Sequence, residues 1–349
     1  MATLTETAYI TRRSIKIGII AIFLFIIGKI IFNLGTKIWR QLHPPPPPPP
    51  TVSFGKLPKI EFPSSSSDLN LSFKLETIEG GLPNLPTVAK VYFITPIRPN
   101  LLALERANQL AKKLGFRSQP QPINEKIYRW QGEKTATTLE IDINTLNFHL
   151  YYDYQNDPQI INEKNLPNQQ QAAQEVKSFL ANAELLPQDL ASGTAEFRYF
   201  RWQPPNLVPA LSLSEADFIQ VNLFRADIEG VKVFPPNLDK PLIYFLFSGS
   251  RSPDKRIVEI KYIYYPIQTE IFGTYPLKPL SQAWTELQNK KGFIARLGEN
   301  QDGQITIRKI YLGYYDSETP QNYLQPIYVF EGDRNFLAYV SAIDPQWTE

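Results

Sequence analysis

The chain has 349 residues, with 36 Lys plus Arg against 34 Asp plus Glu, two His and no Cys. The absence of cysteine excludes disulfides, cysteine-ligated clusters and thiol catalysis. From Thr51 onward there are 30 basic and 33 acidic residues, so the basic excess belongs to the N-terminal end, and a nucleic-acid-binding body is not expected.

Residues 1–14 form a short polar tail, whose Ala2 lacks the glycine that N-myristoylation requires. Residues 15–34 (IKIGIIAIFLFIIGKIIFNL) then read as a transmembrane helix in contact with the lipid bilayer. A helix of that length covers about 30 Å, the thickness of a bilayer's hydrocarbon core. Lys29 interrupts the run near its distal end, where its ammonium can snorkel to the headgroups. No A-x-A-like cleavage site follows, since Ala89 is the next alanine after Ala21, which favours an uncleaved anchor over a cleaved signal or a buried helix. The flanks carry Arg12, Arg13 and Lys16 against Lys37 and Arg40, close to a tie by the positive-inside rule. The short tail and the spacer that follows favour a cytoplasmic tail and a body outside the cytoplasm.

Residues 35–68 read as a juxtamembrane segment and linker. Trp39 is placed to sit at the interface, and His43 precedes seven prolines at 44–50. A polyproline II rod of that length extends about 22 Å and would hold the body away from the headgroups. The alternative is a ligand for a proline-recognition domain. Residues 51–68, with four serines at 64–67, continue as irregular linker.

The remainder is expected to be α+β, in two or three modules, each a helix laid on an antiparallel sheet. The first module spans 69–165. Its first folded segment begins near Ala89 with the strand KVYFIT, and residues 101–114 place apolar side chains at 103, 107, 110, 111 and 114, one helical face closed by Gly115. The period then changes to two, with strands at 125–130, 137–143 and 146–154. The second region, 166–349, divides at 240 if it holds two modules. A helix at 170–185 leads to FRYFRW at 197–202, which echoes IYRW of the first module, and strands follow at 218–224, 242–247 and 257–264. A third helix at 280–289, with Ser281 as N-cap, precedes strands at 304–315, 324–330 and 336–343.

Chemistry-bearing residues are sparse. Of the two histidines, His43 lies beside the anchor and His149 falls on the polar face of its strand, without the clustered carboxylates that a metal site needs. Glu140 and Asp142 share a strand face at a spacing open to an acid pair, and equally common on a solvated sheet. The GSRS run at 249–252 could hold an anion, yet it sits in a hairpin and not in a strand–loop–helix setting. No cofactor is expected. Tyr262, Tyr264, Tyr311, Tyr314 and Tyr315 lie in alternating strands, where some rings face outward as a recognition surface unless core packing takes them.

The tokens LGYY at 312–315, LQPIY at 324–328 and AYVSAI at 338–343, within residues 280–343, give a C-terminal region that resembles the YycH/YycI group and, more loosely, PepSY-type domains. That resemblance implies a single-pass protein whose extracytoplasmic body acts without catalysis, by contacting a sensor histidine kinase in the membrane. The expectation is therefore a membrane-anchored, non-enzymatic α+β protein that binds another membrane or envelope protein. The alternative is an envelope module that binds peptidoglycan, glycan or peptide through an aromatic sheet face.

Overall fold

The computed structural model describes residues 4–42, 49–64, 70–98, 100–133, 136–157, 160–300 and 302–349. They fall into two compact units, Met1–Pro49 and Pro50–Glu349. In the first, one helix, α1 (Leu4–Leu42), takes in the expected span and both its flanks. Its window Ala21–Trp39 has a mean hydropathy of 1.8 and none of it is buried, so this helix is long and apolar enough to cross a membrane. His43, the prolines at 44–48 and the serines at 65–67 lie outside the described residues, and the expected polyproline rod with them.

In the second unit the chain runs through β1 (Ser72–Leu75), β2 (Val88–Ile94), α2 (Ala103–Lys113), β3 (Gln121–Pro122), β4 (Ile127–Gln131), β5 (Thr137–Asp142) and β6 (Phe148–Tyr152). Next come α3 (Gln169–Asn182), the short α4 (Gln188–Ala191), β7 (Ala195–Gln203), β8 (Asn206–Pro209), β9 (Phe218–Leu223), β10 (Val233–Phe234), β11 (Ile243–Ser248), α5 (Pro253–Arg256) and β12 (Ile257–Tyr262). The chain closes with β13 (Ile267–Pro276), α6 (Leu280–Gln288), β14 (Phe293–Arg296), β15 (Gln304–Tyr315), β16 (Tyr323–Gly332) and β17 (Leu337–Ser341). The fold is thus mixed α+β and mostly sheet.

Among the described residues the strands form two sheets. The nine-stranded sheet has the order β3-β4-β5-β6-β12-β11-β9-β7-β8. One of its faces packs on two helices: Ala107, Leu110 and Ala111 of α2 and Ala172, Val176 and Leu180 of α3 share a core with Leu139, Phe148, Val221 and Phe245. In α2 the buried positions 103, 107, 110 and 111 are the i, i+4, i+7 and i+8 of one helical face, with Lys112 and Lys113 in its last turn. Helix α3 opens with a capping box, in which the Asn168 side chain accepts from Gln171 N at 2.9 Å and the Gln171 side chain accepts from Asn168 N at 3.1 Å.

The sheet order contains a topological repeat. Helix α2 is followed by β3 to β6, and α3 by β7, β9, β11 and β12; in both cases successive strands pair antiparallel. The closing strands β6 and β12 pair antiparallel in the middle, the arrangement that two copies related by a two-fold axis would give. The sequence echo matches different strands from these. Counted outward from the middle, IYRW in β4 corresponds to β9, whereas FRYFRW lies in β7, the counterpart of the short β3. In each strand two alternate rings, Tyr128 and Trp130 in β4 and Phe197 and Tyr199 in β7, pack into the core shared with α2 and α3, so the echo reports a shared environment.

The eight-stranded sheet follows the path β1-β15-β16-β17-β14, with β10 on β15 and with β2 joining β16 and β13. Its core buries Ala283 and Leu287 of α6 against Phe330, Ala338 and Val340. Ser281 does not cap α6; the helix begins at Leu280 behind Pro279, without a side-chain cap. Two expectations about the N-terminal part of this unit are corrected here. Strand β2 does not open the first module but pairs with β13 and β16, residues from the other end of the chain. The segment expected as linker after Pro50 is packed: Leu57 is fully buried, its N–H donates to Trp347 O at 2.8 Å, and Tyr275 OH receives from Phe54 N at 2.9 Å. Its apolar positions Val52, Phe54 and Leu57 gain a core that proline content alone does not reveal.

Candidate functional site

The five tyrosines expected to form a recognition surface do not form one. Tyr262, Tyr314 and Tyr315 are 4%, 5% and 1% exposed. Tyr262 stacks on Phe148 with ring centres 5.3 Å apart and donates to Leu185 O at 2.9 Å, while Tyr314 meets Tyr92 edge-on at 5.4 Å. Tyr264 and Tyr311 are half-buried and engaged: Tyr264 OH donates to Asp189 at 3.0 Å and Tyr311 OH donates to Glu331 at 3.0 Å. Burial pushes the Tyr264 phenol up to about 12, so these rings are neutral packing elements at ordinary pH. Alternation sends rings to both faces, but these five rings pack into cores on the faces where they fall.

The other sequence candidates also resolve into local structure. Glu140 accepts from Arg129 Nη2 at 2.6 Å across the β4–β5 ladder, and Asp142 accepts the backbone N–H groups of Asn144 and Thr145 at 2.9 and 3.1 Å, closing the β5–β6 turn. In the GSRS run, a Cβ added at Gly249 would lie 1.9 Å from Glu163 O, and Arg251 N donates to the Glu163 carboxylate at 2.7 Å, so the hairpin is docked on its neighbour. His149 stays on the face opposite the helices, as expected, and gains a partner that alternation could not supply. Its Nε2 lies 3.1 Å from Glu259 Oε1, which also accepts from Tyr244 OH at 2.5 Å. No group of three or more His, Cys, Asp or Glu able to hold a metal occurs among the described residues.

A cleft of about 1130 Å³ opens where an outer strand of each sheet converges. One wall is the continuous run 293–299, which includes all of β14; facing it are Glu196 and Arg198 of β7, Pro209 of β8 and the loop carrying Asn237 and Asp239. That loop crosses the non-helical face of the nine-stranded sheet and is held from beneath by buried side chains. Gln220 Nε2 donates to Asp239 O at 2.7 Å and Asn222 Nδ2 donates to Leu238 O at 3.2 Å. Asp239 is thereby fixed between two guanidiniums, with Oδ1 at 3.0 Å from Arg198 Nη1 and 3.2 Å from Arg296 Nε. The second contact lacks the alignment of a hydrogen bond, so Arg296 Nε is buried without a hydrogen-bond partner. Glu196, Glu299 and Glu318 are exposed around this centre.

Sequence reading missed this site. Strand β14 is four residues long and carries only Phe293 and Ile294 as an apolar signal after Lys290-Lys291-Gly292, and Arg198, Asp239 and Arg296 come from three separate stretches. The available signal was a loop with two adjacent prolines, 235–236, that returns an acid to a strand end.

No family model matches the chain, and no curated protein matches it. Among solved structures, the chain is similar to the crystal structure of an uncharacterized protein from Eubacterium rectale. The match covers 74% of this chain and 84% of that chain, at 13% identity and a TM-score of 0.42.

Proposed function

We propose that this chain is a membrane-anchored protein whose body lies outside the cytoplasm and acts by binding, without catalysis, another membrane or envelope protein. The observation that carries the reading is the window Ala21–Trp39, with a mean hydropathy of 1.8 and none of it buried, in the same chain as a body of 300 residues that holds its own cores and an open cleft. An apolar helix with no protein surface over it is accommodated by lipid. Confinement to the bilayer raises the effective concentration of the body near any partner in the same membrane. The likeness of residues 280–343 to the YycH/YycI group supports a sensor kinase as the kind of partner.

The test is fractionation of cells that express the full chain, followed by alkaline carbonate extraction and by crosslinking from a photoreactive residue replacing Phe25. The reading expects the chain to stay in the carbonate-resistant membrane pellet and to crosslink to one discrete membrane protein. Release of the chain by carbonate contradicts the anchor, and crosslinks to lipid alone contradict a partner that contacts the span.

A further inference from the structure

We propose that residues 51–62 are a releasable strap: a pull on the chain N-terminal to the body lifts them first, while both sheets stay folded, and bares the rings on which Phe62 lies. This deepens the reading of a tethered body and rests on it only for the origin of the pull.

The first support is how the strap is tied. From Thr51 to Phe62 the chain forms no helix and no strand, and its β-bridge joins Leu57 to Thr348 alone. The ties are separate points: Val52 N donates to Thr274 O at 3.0 Å, Phe54 N to Tyr275 OH at 2.9 Å and Leu57 N to Trp347 O at 2.8 Å. Residues 347–349, which answer Leu57 with a bond from Glu349 N to Leu57 O at 2.9 Å, likewise belong to no ladder. Strands β15, β16 and β17, by contrast, are joined by antiparallel ladders whose bonds must break together. Scattered hydrogen bonds open at lower free energy than core strands do.

The second support is the fit beneath the strap. Leu57 is fully buried, whereas Val52, Phe54, Ile60 and Phe62 are only partly so. Phe62 stacks on Phe293 at 5.2 Å and meets Tyr315 edge-on at 4.8 Å, and Gln325 Nε2 donates to Pro58 O at 2.8 Å. With the strap docked, Tyr315 OH, Gln325 Oε1 and Trp347 Nε1, each on a residue that touches it, are buried without a hydrogen-bond partner. Buried orphans oppose the state that holds them, so docking is weaker than the apolar contacts alone would make it. Release bares Phe293, Tyr315 and Tyr339, the rings that Ile60 and Phe62 cover, and frees Pro63 and Ser64, which line the cleft. A pull on the tether thereby reshapes the cleft.

The test is single-molecule force spectroscopy on the full chain in detergent micelles, with handles on reactive residues replacing Gln41 and Lys309 of β15. The proposal expects a first, reversible step at low force, followed by rupture of the body at higher force. The first step should gain about 40–70 Å, the contour of 12 to 21 residues from Thr51 at about 3.4 Å each. A staple checks the assignment. A Cβ built on Gly273 lies 3.2 Å from Ser53 Cβ, close to disulfide reach, and the chain has no cysteine of its own. In Ser53→Cys/Gly273→Cys the oxidised form should lose the first step and the reduced form regain it. Rupture of the whole body with no earlier step, or an early step that survives the oxidised staple, overturns the proposal. Hydrogen exchange of the unaltered chain is the second reading: the amides of Val52, Phe54 and Leu57 should exchange at least about tenfold faster than those of β16, and equal protection also overturns it. Micelles make both readings independent of membrane insertion, which carbonate extraction reports, so failure of the strap and failure of the anchor are separate results.

Discussion

Arg225 Nε donates to Asp316 Oδ2 at 2.6 Å, joining the second residue after β9 in one sheet to the residue that follows β15 in the other. Both side chains are buried, at 5% and 7% exposure. The guanidinium also donates to Asp189 at 2.6 Å and to Tyr265 O at 2.7 Å, and lies 4.1 Å over the ring of Tyr264. Burial works against the charge on Arg225, and Asp316 and Asp189 outweigh it, so its pKa is raised. This hub holds the two sheets in the relation that forms the cleft.

Removing one partner leaves a buried charge uncompensated. Arg225→Leu is expected to lower the unfolding free energy by about 3–5 kcal/mol in urea titration. The double variant with Asp316→Leu should lose less than the sum of the two single variants. Strict additivity would contradict a direct coupling.

Glu259 gives a pH dependence. Burial pushes its pKa up, but hydrogen bonds from His149 and Tyr244 outweigh burial, and it lies below the usual 4.5. A depressed carboxylate contributes stability above its unfolded pKa and loses it as pH falls through the folded value. Glu259→Gln should therefore be less stable than the parent at neutral pH by about 1–3 kcal/mol. Below pH 4.5 the gap should narrow. An unchanged gap down to strongly acid pH would show that the bonds to Glu259 carry no linked proton.

Gly249→Ala places a methyl group 1.9 Å from Glu163 O and 2.9 Å from Asn165 N. Backbone cannot yield as a side-chain tip does, so the expected loss is about 1–3 kcal/mol of stability. A parental melting temperature would mean that the hairpin is not docked there.

Phe25→Lys inserts a second charge within four positions of Lys29 in the apolar window. Partition of the full chain into vesicles should weaken by about 2.5–3.5 kcal/mol. Full retention in flotation assays would show that the window is not the membrane-contacting element.

Elements with strong periodicity were legible from sequence because each has one face on a core. The helix expected at 101–114 is Ala103–Lys113, that at 170–185 is Gln169–Asn182, and the strand at 304–315 keeps its bounds. Hairpin pairing was legible, as β5–β6 and β11–β12 show, but long-range pairing was not, because β2 finds β13 and β16 across more than 170 positions of sequence and nothing local encodes that choice. The tyrosine surface failed for a related reason. Alternation tells which rings share a face, and only the second layer, such as Leu185 over Tyr262, tells that the face is covered. The cleft failed because its arginines and Asp239 are unremarkable charges until the two sheet edges meet.

The central claim is a tethered binding body outside the cytoplasm, and protease shielding in intact cells tests it most directly, with an epitope at the C-terminus. The account predicts that protease added outside removes the epitope while a fragment containing α1 stays with the membrane. Protection of the epitope until the membrane is permeabilised would place the body in the cytoplasm and contradict the account.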